Sequence, residues 1–490
     1  MKTKKTLFAI FILAAVAISV SCGETQNKPE ADTPDLQSPD PAEETDTANI
    51  GLDIEYMDLG GYEINFIVRG EGLIAFKCID LYAETINGDI INDAIYERNT
   101  YLEEKYNFKI KATTIDEPDY PAVALRKFVL ADEHIYDVCY DSFLWTKSLI
   151  QENMLTDLYT LPHIDFSKPY WDENVNKDLT IKNKLFITHG EHMLSLRAGL
   201  YGVFFNKKLA EDYQLEDLYD LVRKNKWTID KYYSLAKGLS RDLNSDGKMD
   251  YNDFWGNVSE SYYALIFYNG SGEKIAVKDE NDLPVLSMNT SKGIDVLELV
   301  SQFLTDKTTT ILVDDYPGKW DLVDKVFPDG RALFGEGALM ITPKMRDMEV
   351  DFGILPSPKF TENQDRYYHI VSIWNAPLMS VPTTITDPDK VGYILELLAA
   401  KSVDTLTPAY YDTQLRYKLL RDDESEEMLD IILSSITFDV GLAFDFGGLS
   451  VAILTNLGKG GNFVSTYEKN ERAAQRDIDK LINTLNESLN

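Results

Sequence analysis

Positive charge is scarce in this chain. Lysine and arginine number 48 against 81 aspartates and glutamates, a formal net charge of −33 over 490 residues. So acidic a body repels phosphate backbones and carries no polybasic patch for anionic lipid, so nucleic acid is not expected as a partner. Histidine is rarer still, with five: His134, His163, His189, His192 and His369. The cluster His189-Gly190-Glu191-His192 lacks the H-E-x-x-H spacing that puts two imidazoles on one helical face, and it follows a predicted strand, so it reads as an exposed loop pair and not as a metal site. No nucleophile elbow, phosphate-binding glycine loop or dinucleotide fingerprint occurs. No catalytic residue and no catalytic cofactor therefore stand out. Cysteine is limited to Cys22, Cys78 and Cys139, with no C-x-x-C pair, and the sequence leaves open whether Cys78 and Cys139 pair. Beyond the first twenty residues no apolar run reaches bilayer-spanning length.

What is present begins at the N-terminus. Lys2, Lys4 and Lys5 precede an apolar run over residues 7–20, which exits through Ser19-Val20-Ser21-Cys22-Gly23. A basic start, a short apolar stretch and a small-residue exit make a secretory signal over residues 1–22. The exit resembles a bacterial lipobox, with Ser19 where leucine is usual and Ile18 one place earlier. That resemblance implies lipidation of Cys22 and an extracytoplasmic protein anchored to the cell membrane, with the bilayer as a partner. Residues 23–49, rich in Glu, Asp, Thr and Pro and devoid of aromatics, cannot bury enough apolar surface to fold and read as an acidic tether.

The remaining chain is long enough for two domains with their own cores, and 44% hydrophobic and 11% aromatic content supply them. Apolar and polar residues alternate over 62–68 and 107–114, and residues 136–139 form a short apolar run. Helical spacing fills 88–106, 120–130 and 143–153 between and after them. Such a β-α-β-α-β-α order predicts an α/β fold with a parallel sheet, whose ligands sit beyond the carboxyl ends of the strands, at Arg69-Gly70-Glu71 and Tyr140-Asp141-Ser142. Further strands are expected at 185–188 and 203–205. Thr228 caps a helix to about Leu239, and residues 208–358 read as mostly helical, interrupted by strands at 338–342 and 351–355. Residues 377–382 read as extended. Asp387-Pro388 opens a helix through Ala400, and two amphipathic helices follow at 425–434 and 466–489.

Several stretches resemble the carbohydrate-type extracellular solute-binding proteins of ABC importers. They are Gly88-Asp-Ile-Ile-Asn-Asp-Ala-Ile-Tyr-Glu-Arg-Asn99, Gly202-Val-Phe-Phe-Asn-Lys-Lys208, Lys226-Trp-Thr-Ile-Asp230, residues 335–342 leading into Asp351-Phe-Gly-Ile-Leu-Pro-Ser-Pro358, and Pro408-Ala-Tyr-Tyr-Asp412 through Met428-Leu-Asp430. The resemblance implies a two-lobe periplasmic-binding-protein-like (type II) fold with a hinge and a helix-rich second lobe. Residues 50–205 with 375–440 would form the first lobe, 206–374 the second, and 441–490 a C-terminal helical segment. The chain would cross near 201–207 and return near 374–382. It further implies a small polar ligand, a mono- or oligosaccharide, delivered to an ABC permease. A lipid-anchored glycan-degrading enzyme and a peptide-binding protein of the same architecture are the alternatives, because 81 acidic residues make any one carboxylate pair uninformative.

Sugar rings offer apolar C–H faces to aromatic rings and hydroxyls to charged partners. Of the tryptophans Trp145, Trp171, Trp227, Trp255, Trp320 and Trp374, three are candidates for ligand contact: Trp145 just past the third strand, Trp255, and Trp374 on the return crossing. Asp141 and Arg69 are their polar partners, Trp227 reads as a core anchor, and Tyr410-Tyr411 is a weaker pair. Separately, residues 242–253 fit the twelve-residue calcium loop. Asp242, Asn244, Asp246, Asp250 and Asp253 supply side-chain oxygens, Lys248 its carbonyl, and Gly247 the sharp turn, with Asp253 where an EF-hand has Glu. Hard oxygen ligands suit a structural Ca²⁺.

Overall fold

The computed structural model describes residues 53–487 other than 71–77, 79, 117, 320, 346–347, 375 and 412–421, within one unit, Ala48–Asn490. The signal, the tether, Cys22, Glu71 and Trp320 lie outside the described residues. The alternating run Tyr62–Arg69 forms a strand that pairs in parallel with Phe108–Ile115, Tyr62 opposite Phe108 and Arg69 opposite Ile115. On its other side it pairs in parallel with Val138–Ser142. The extended segment Pro377–Ser380 adds an antiparallel edge, Pro377 opposite Ser142, to complete a four-stranded sheet. Helices connect the parallel strands, as they must. Ile90–Tyr106 is capped by the Asp89 carboxylate, which accepts from Ile91 and Asn92 N–H, and is closed by Asn107 in the left-handed region at φ 56°. It buries Ile91, Ala94, Ile95, Leu102 and Tyr106.

The second sheet has five strands in the order Phe352–Leu355, Tyr201–Asn206, Ala332–Ala338, Trp255–Ser259, Thr310–Leu312. Tyr201–Asn206 is antiparallel to both neighbours, and Trp255–Ser259 is parallel to both of its own. Four of these strands fall in the stretch 208–358, and three of them, Trp255–Ser259, Thr310–Leu312 and Ala332–Ala338, lie where helix was expected. Their side chains are buried on both faces, Trp-Gly-Asn-Val-Ser and Ala-Leu-Phe-Gly-Glu-Gly-Ala among them, so the period-two signal of a half-exposed strand is missing. Two further expectations change. Residues 185–188 make a single bridge, Thr188 opposite Met379, in place of a strand, and Leu339–Met345 is a 3₁₀ segment.

The helix Asp423–Ser434 packs on the Phe352–Leu355 strand, and Ile436–Thr437 pairs with His369–Ile370. Ile436–Thr437 and His369–Ile370 make a two-stranded sheet of their own. Phe463–Glu487 follows as a long helix against Leu449–Leu457. The two chain crossings run side by side: Leu200 bridges Val371, and Ser372 N–H donates to Gly199 O at 3.0 Å. None of the helices among the described residues is long and apolar enough to cross a membrane.

Candidate functional site

The carboxyl ends of the first sheet converge on one buried ion pair. Arg69, at the end of its strand, donates from Nε to Asp141 Oδ1 at 2.7 Å, with the two side chains 2% and 0% exposed. The other Asp141 oxygen accepts Ala122 N–H at 3.0 Å, in the first turn of the helix Pro121–Leu130, and Oδ1 also accepts Ser142 N–H at 2.8 Å. Burial pushes the Asp141 carboxyl up, while Arg69 and these amides pull it back. Arg69 Nη2 reaches across to donate to Trp374 O at 3.2 Å. One guanidinium–carboxylate pair therefore fixes the ends of two strands, the start of a helix and the return crossing.

Three aromatic rings hang on that frame. Tyr120 precedes Pro121, whose ring forbids it a helical conformation; it is held extended at φ −132°, ψ 150°, off the helix start. There its ring stacks on Trp145 of the helix Phe143–Gln151, centroids 4.1 Å apart and 21° from parallel. Leu144 N–H, next to Trp145, donates to Ile373 O, next to Trp374. Trp374 is 47% exposed, an unusual state for so large an apolar surface. Trp145, Trp374, Arg69 and Asp141 are thus brought together. Tyr120 escaped the sequence reading, although the Tyr-Pro step was its signal.

Trp255 stands apart. It is 2% exposed, begins its strand at the end opposite Ser259, and donates from Nε1 to Asp250 O at 2.8 Å, where it tethers the acidic loop. At the carboxyl end of the same strand lies Glu260, which sequence reasoning also passed over. Burial pushes its carboxyl up to about 7, with the charges of Asp314 and Asp324 adding. Tyr262, two residues on, lies 5.7 Å from Tyr201, whose hydroxyl bonds the Ser372 side chain two residues before Trp374. Tyr262 Oη is buried without a partner. This string of contacts ties the second sheet's strand end to the aromatic frame of the first.

Other expectations resolve as follows. Trp227 is fully buried and donates to Pro356 O at 2.8 Å, a core anchor. Tyr410 is buried and perpendicular to Tyr411, whose ring carries the Arg197 guanidinium. Cys78 and Cys139 are free thiols. His189 and His192 are buried, at 2% and 1%, and not the exposed loop pair expected, because Trp171 and Tyr140 pack over the His192 ring.

In the acidic loop, Gly247 has φ +78°, which a side chain would strain, and its N–H donates to Asp242 Oδ2 at 2.9 Å. Asn244 Oδ1 accepts Asp246 N–H and Asp246 Oδ1 accepts Lys248 N–H. Asp250 Oδ1 accepts Asn252 N–H, and buried Asp253 accepts Leu243 and Asp250 N–H. Among the described residues no three His, Cys, Asp or Glu side chains converge to hold an ion.

No protein-family profile and no curated protein matches the chain. Solved structures do. An ABC substrate-binding protein from Listeria monocytogenes in complex with cycloalternan superposes with a TM-score of 0.52 at 13% identity, covering 87% of this chain and 99% of that one. A cyclo/maltodextrin-binding protein complexed with maltotetraose gives 0.54 at 12%, covering 87% and 97%. A solute-binding protein of an ABC transporter from Agrobacterium radiobacter K84, in complex with ribitol, gives 0.53 at 12%, covering 86% and 100%. These neighbours are binding proteins, and at such identities the likeness speaks for the fold. The chain has the two-lobe, type II periplasmic-binding-protein fold in which ABC substrate-binding proteins are built.

Proposed function

We propose that this protein captures a neutral mono- or oligosaccharide between its two sheets and hands it to an ABC permease, from an extracytoplasmic position on a lipid anchor at Cys22. The observation that carries the reading is the aromatic frame: a half-exposed Trp374 and the Tyr120–Trp145 stack, pinned together at the strand ends by Arg69 and Asp141. Flat apolar rings beside fixed hydrogen-bonding groups suit a ligand with apolar faces and hydroxyl edges. The structural neighbours hold a cyclic glucan, a linear glucan and a polyol. Ligand that touches both sheets favours the closed form by its differential affinity, which gives a permease a state to recognise.

A thermal-shift screen of linear and cyclic glucans, polyols, peptides and amino acids tests this. A sugar should raise the melting temperature by mass action, and Trp374→Ala should weaken the response about tenfold, the loss of one aromatic face. A panel in which only peptides shift the melt would sink the carbohydrate reading. Glucans incubated with the protein should be recovered at their original length; shortened products would favour the glycan-degrading alternative. Recovery of the protein in the membrane fraction, lost on Cys22→Ala, tests the anchor.

We also propose that Asp242, Asn244, Asp246, Lys248, Asp250 and Asp253 take a structural Ca²⁺. The donor set is oxygen only, and the Gly247 turn and its bond to Asp242 give the loop its curl. Binding would draw the Asp242, Asp246 and Asp250 carboxylates inward to face one point. Calcium at a hundred times its Kd would stabilise by about 2.7 kcal/mol, so EDTA should lower the melting temperature by a few degrees and added Ca²⁺ restore it. A melting curve indifferent to EDTA would end the proposal.

A further inference from the structure

A cavity of about 670 Å³ opens in the first lobe, and none of its walls belongs to the aromatic frame. Trp171, Asp172, His189, Gly190, Glu191 and Arg197 carry the argument for it. Its floor is built rigidly. Glu396 of the helix Pro388–Ser402 accepts Tyr170 Oη at 2.5 Å and Trp171 Nε1 at 2.8 Å. Gly190 passes so close to the Trp171 ring that a Cβ there would lie 2.8 Å from it.

Two residues of the wall carry buried hydrogen-bonding atoms that the protein itself does not answer. His189 Nε2 lies 2.6 Å from Met193 O, and a carbonyl only accepts, so Nε2 carries the proton. Burial keeps this imidazole below its ordinary pKa, against the pull of Asp172, so at neutral pH Nδ1 is a bare acceptor. That Nδ1 is buried with no partner. Facing it at 3.9 Å is Asp172 Oδ2, a second acceptor, whose sister oxygen is committed to Asn174 and Val175 N–H at the start of the helix Glu173–Leu179. Two acceptors at that distance call for a donor between them. Arg197 presents the converse: Nη2 pairs with Glu191, whose other oxygen accepts Thr407 Oγ1, while Nη1 is buried with no acceptor.

A hydroxyl donates and accepts from one oxygen, so a group bearing two or more of them answers all three atoms. An ammonium would leave Arg197 unanswered. An anion would meet Asp172, Glu173 and Glu191, which outnumber Lys168 and Arg197 on the walls. We infer that this cavity is a second hydroxyl-binding site, which takes a neutral polyol or one ring of a longer sugar through Asp172, His189 and Arg197. The inference extends the carbohydrate reading, and its test separates the two.

The discriminating variant is Asp172→Asn. Its amide oxygen still caps the helix, and its NH₂ turns toward His189 Nδ1 and supplies the missing donor from within. Calorimetry on the full chain, with ribitol, linear and cyclic glucans as probes and ethanolamine, phosphate and Zn²⁺ as controls, is paired with ¹⁵N NMR of the imidazoles. Wild-type protein should bind a polyhydroxyl probe, and the His189 Nδ1 resonance should move at saturation. Asp172→Asn should melt no lower than wild type and bind the same probe at least tenfold more weakly. Sugar binding with the same affinity in Asp172→Asn, or a His189 Nδ1 signal unmoved at saturation, would overturn this inference and leave the carbohydrate reading standing. A wild-type chain that binds no polyhydroxyl probe, with the cavity holding water alone, would overturn both. Preference for any of the three controls would overturn this one. The NMR measurement on wild type decides the matter even if the variant fails to fold.

Discussion

Replacing Asp141 with alanine should destabilise the protein by about 3–5 kcal/mol, because it removes the carboxylate that the Arg69 guanidinium, 2% exposed, meets at 2.7 Å in the interior. It also orphans the amides of Ala122 and Ser142, which Asp141 satisfies at 3.0 and 2.8 Å. Urea unfolding at pH 7 measures the loss. The double variant Arg69→Met with Asp141→Asn should recover part of that stability: it removes the buried charge, and the asparagine oxygen still serves one of the two amides. It should not recover sugar binding, since Arg69 Nη2 no longer holds the Trp374 carbonyl and the return crossing is free to shift. Stability and binding should therefore part company in the double variant. If they return together, the pair is a structural staple only, and the aromatic frame does not depend on it.

That pair also marks how far the sequence could be read. Arg69 and Asp141 were legible because alternation placed two strands and parallel sheets put ligand sites at strand ends. Trp374 was singled out through a resemblance that located the return crossing, and the structure leaves it 47% exposed. Tyr120 was hidden in plain view, since its position follows from the proline after it. Trp255 shows the opposite limit: composition makes every tryptophan a candidate, and only the hydrogen bond to Asp250 O assigns this one to the loop. The second sheet was hardest. Its central strands are buried on both faces and interrupted by Gly256, Gly335 and Gly337, so neither periodicity nor propensity marks them. His189 and Arg197 were beyond reach for another reason. Their unanswered atoms exist only once Trp171, Asp172 and Glu191 are folded around them.

The same buried sheet carries a carboxyl whose titration should tilt the stability of the whole protein. Glu336, within the strand Ala332–Ala338, is fully buried and accepts hydrogen bonds from Tyr232 Oη at 2.9 Å, Asn257 Nδ2 at 3.2 Å and Ser259 Oγ. Burial pushes it up to about 8 against those donors, from 4.5 in an exposed carboxyl. In the window between these values the folded protein keeps a proton that the unfolded chain has released. The group's stabilising contribution is therefore full below pH 4.5, falls as pH rises, and is gone once pH passes about 8. The loss across that window is on the order of a few kcal/mol. Glu260, pushed up to about 7, adds to the same falling limb. Glu336→Gln keeps the shape and an acceptor and cannot ionise, and the Ser259 hydroxyl can rotate to accept from its NH₂. Denaturant midpoints from pH 5 to pH 9 should fall steeply for wild type and much less for Glu336→Gln, with the variant the more stable of the two at pH 9. Parallel curves would mean that water or a shift of the strand solvates the carboxylate as it forms, and that Glu336 does not govern the alkaline limb.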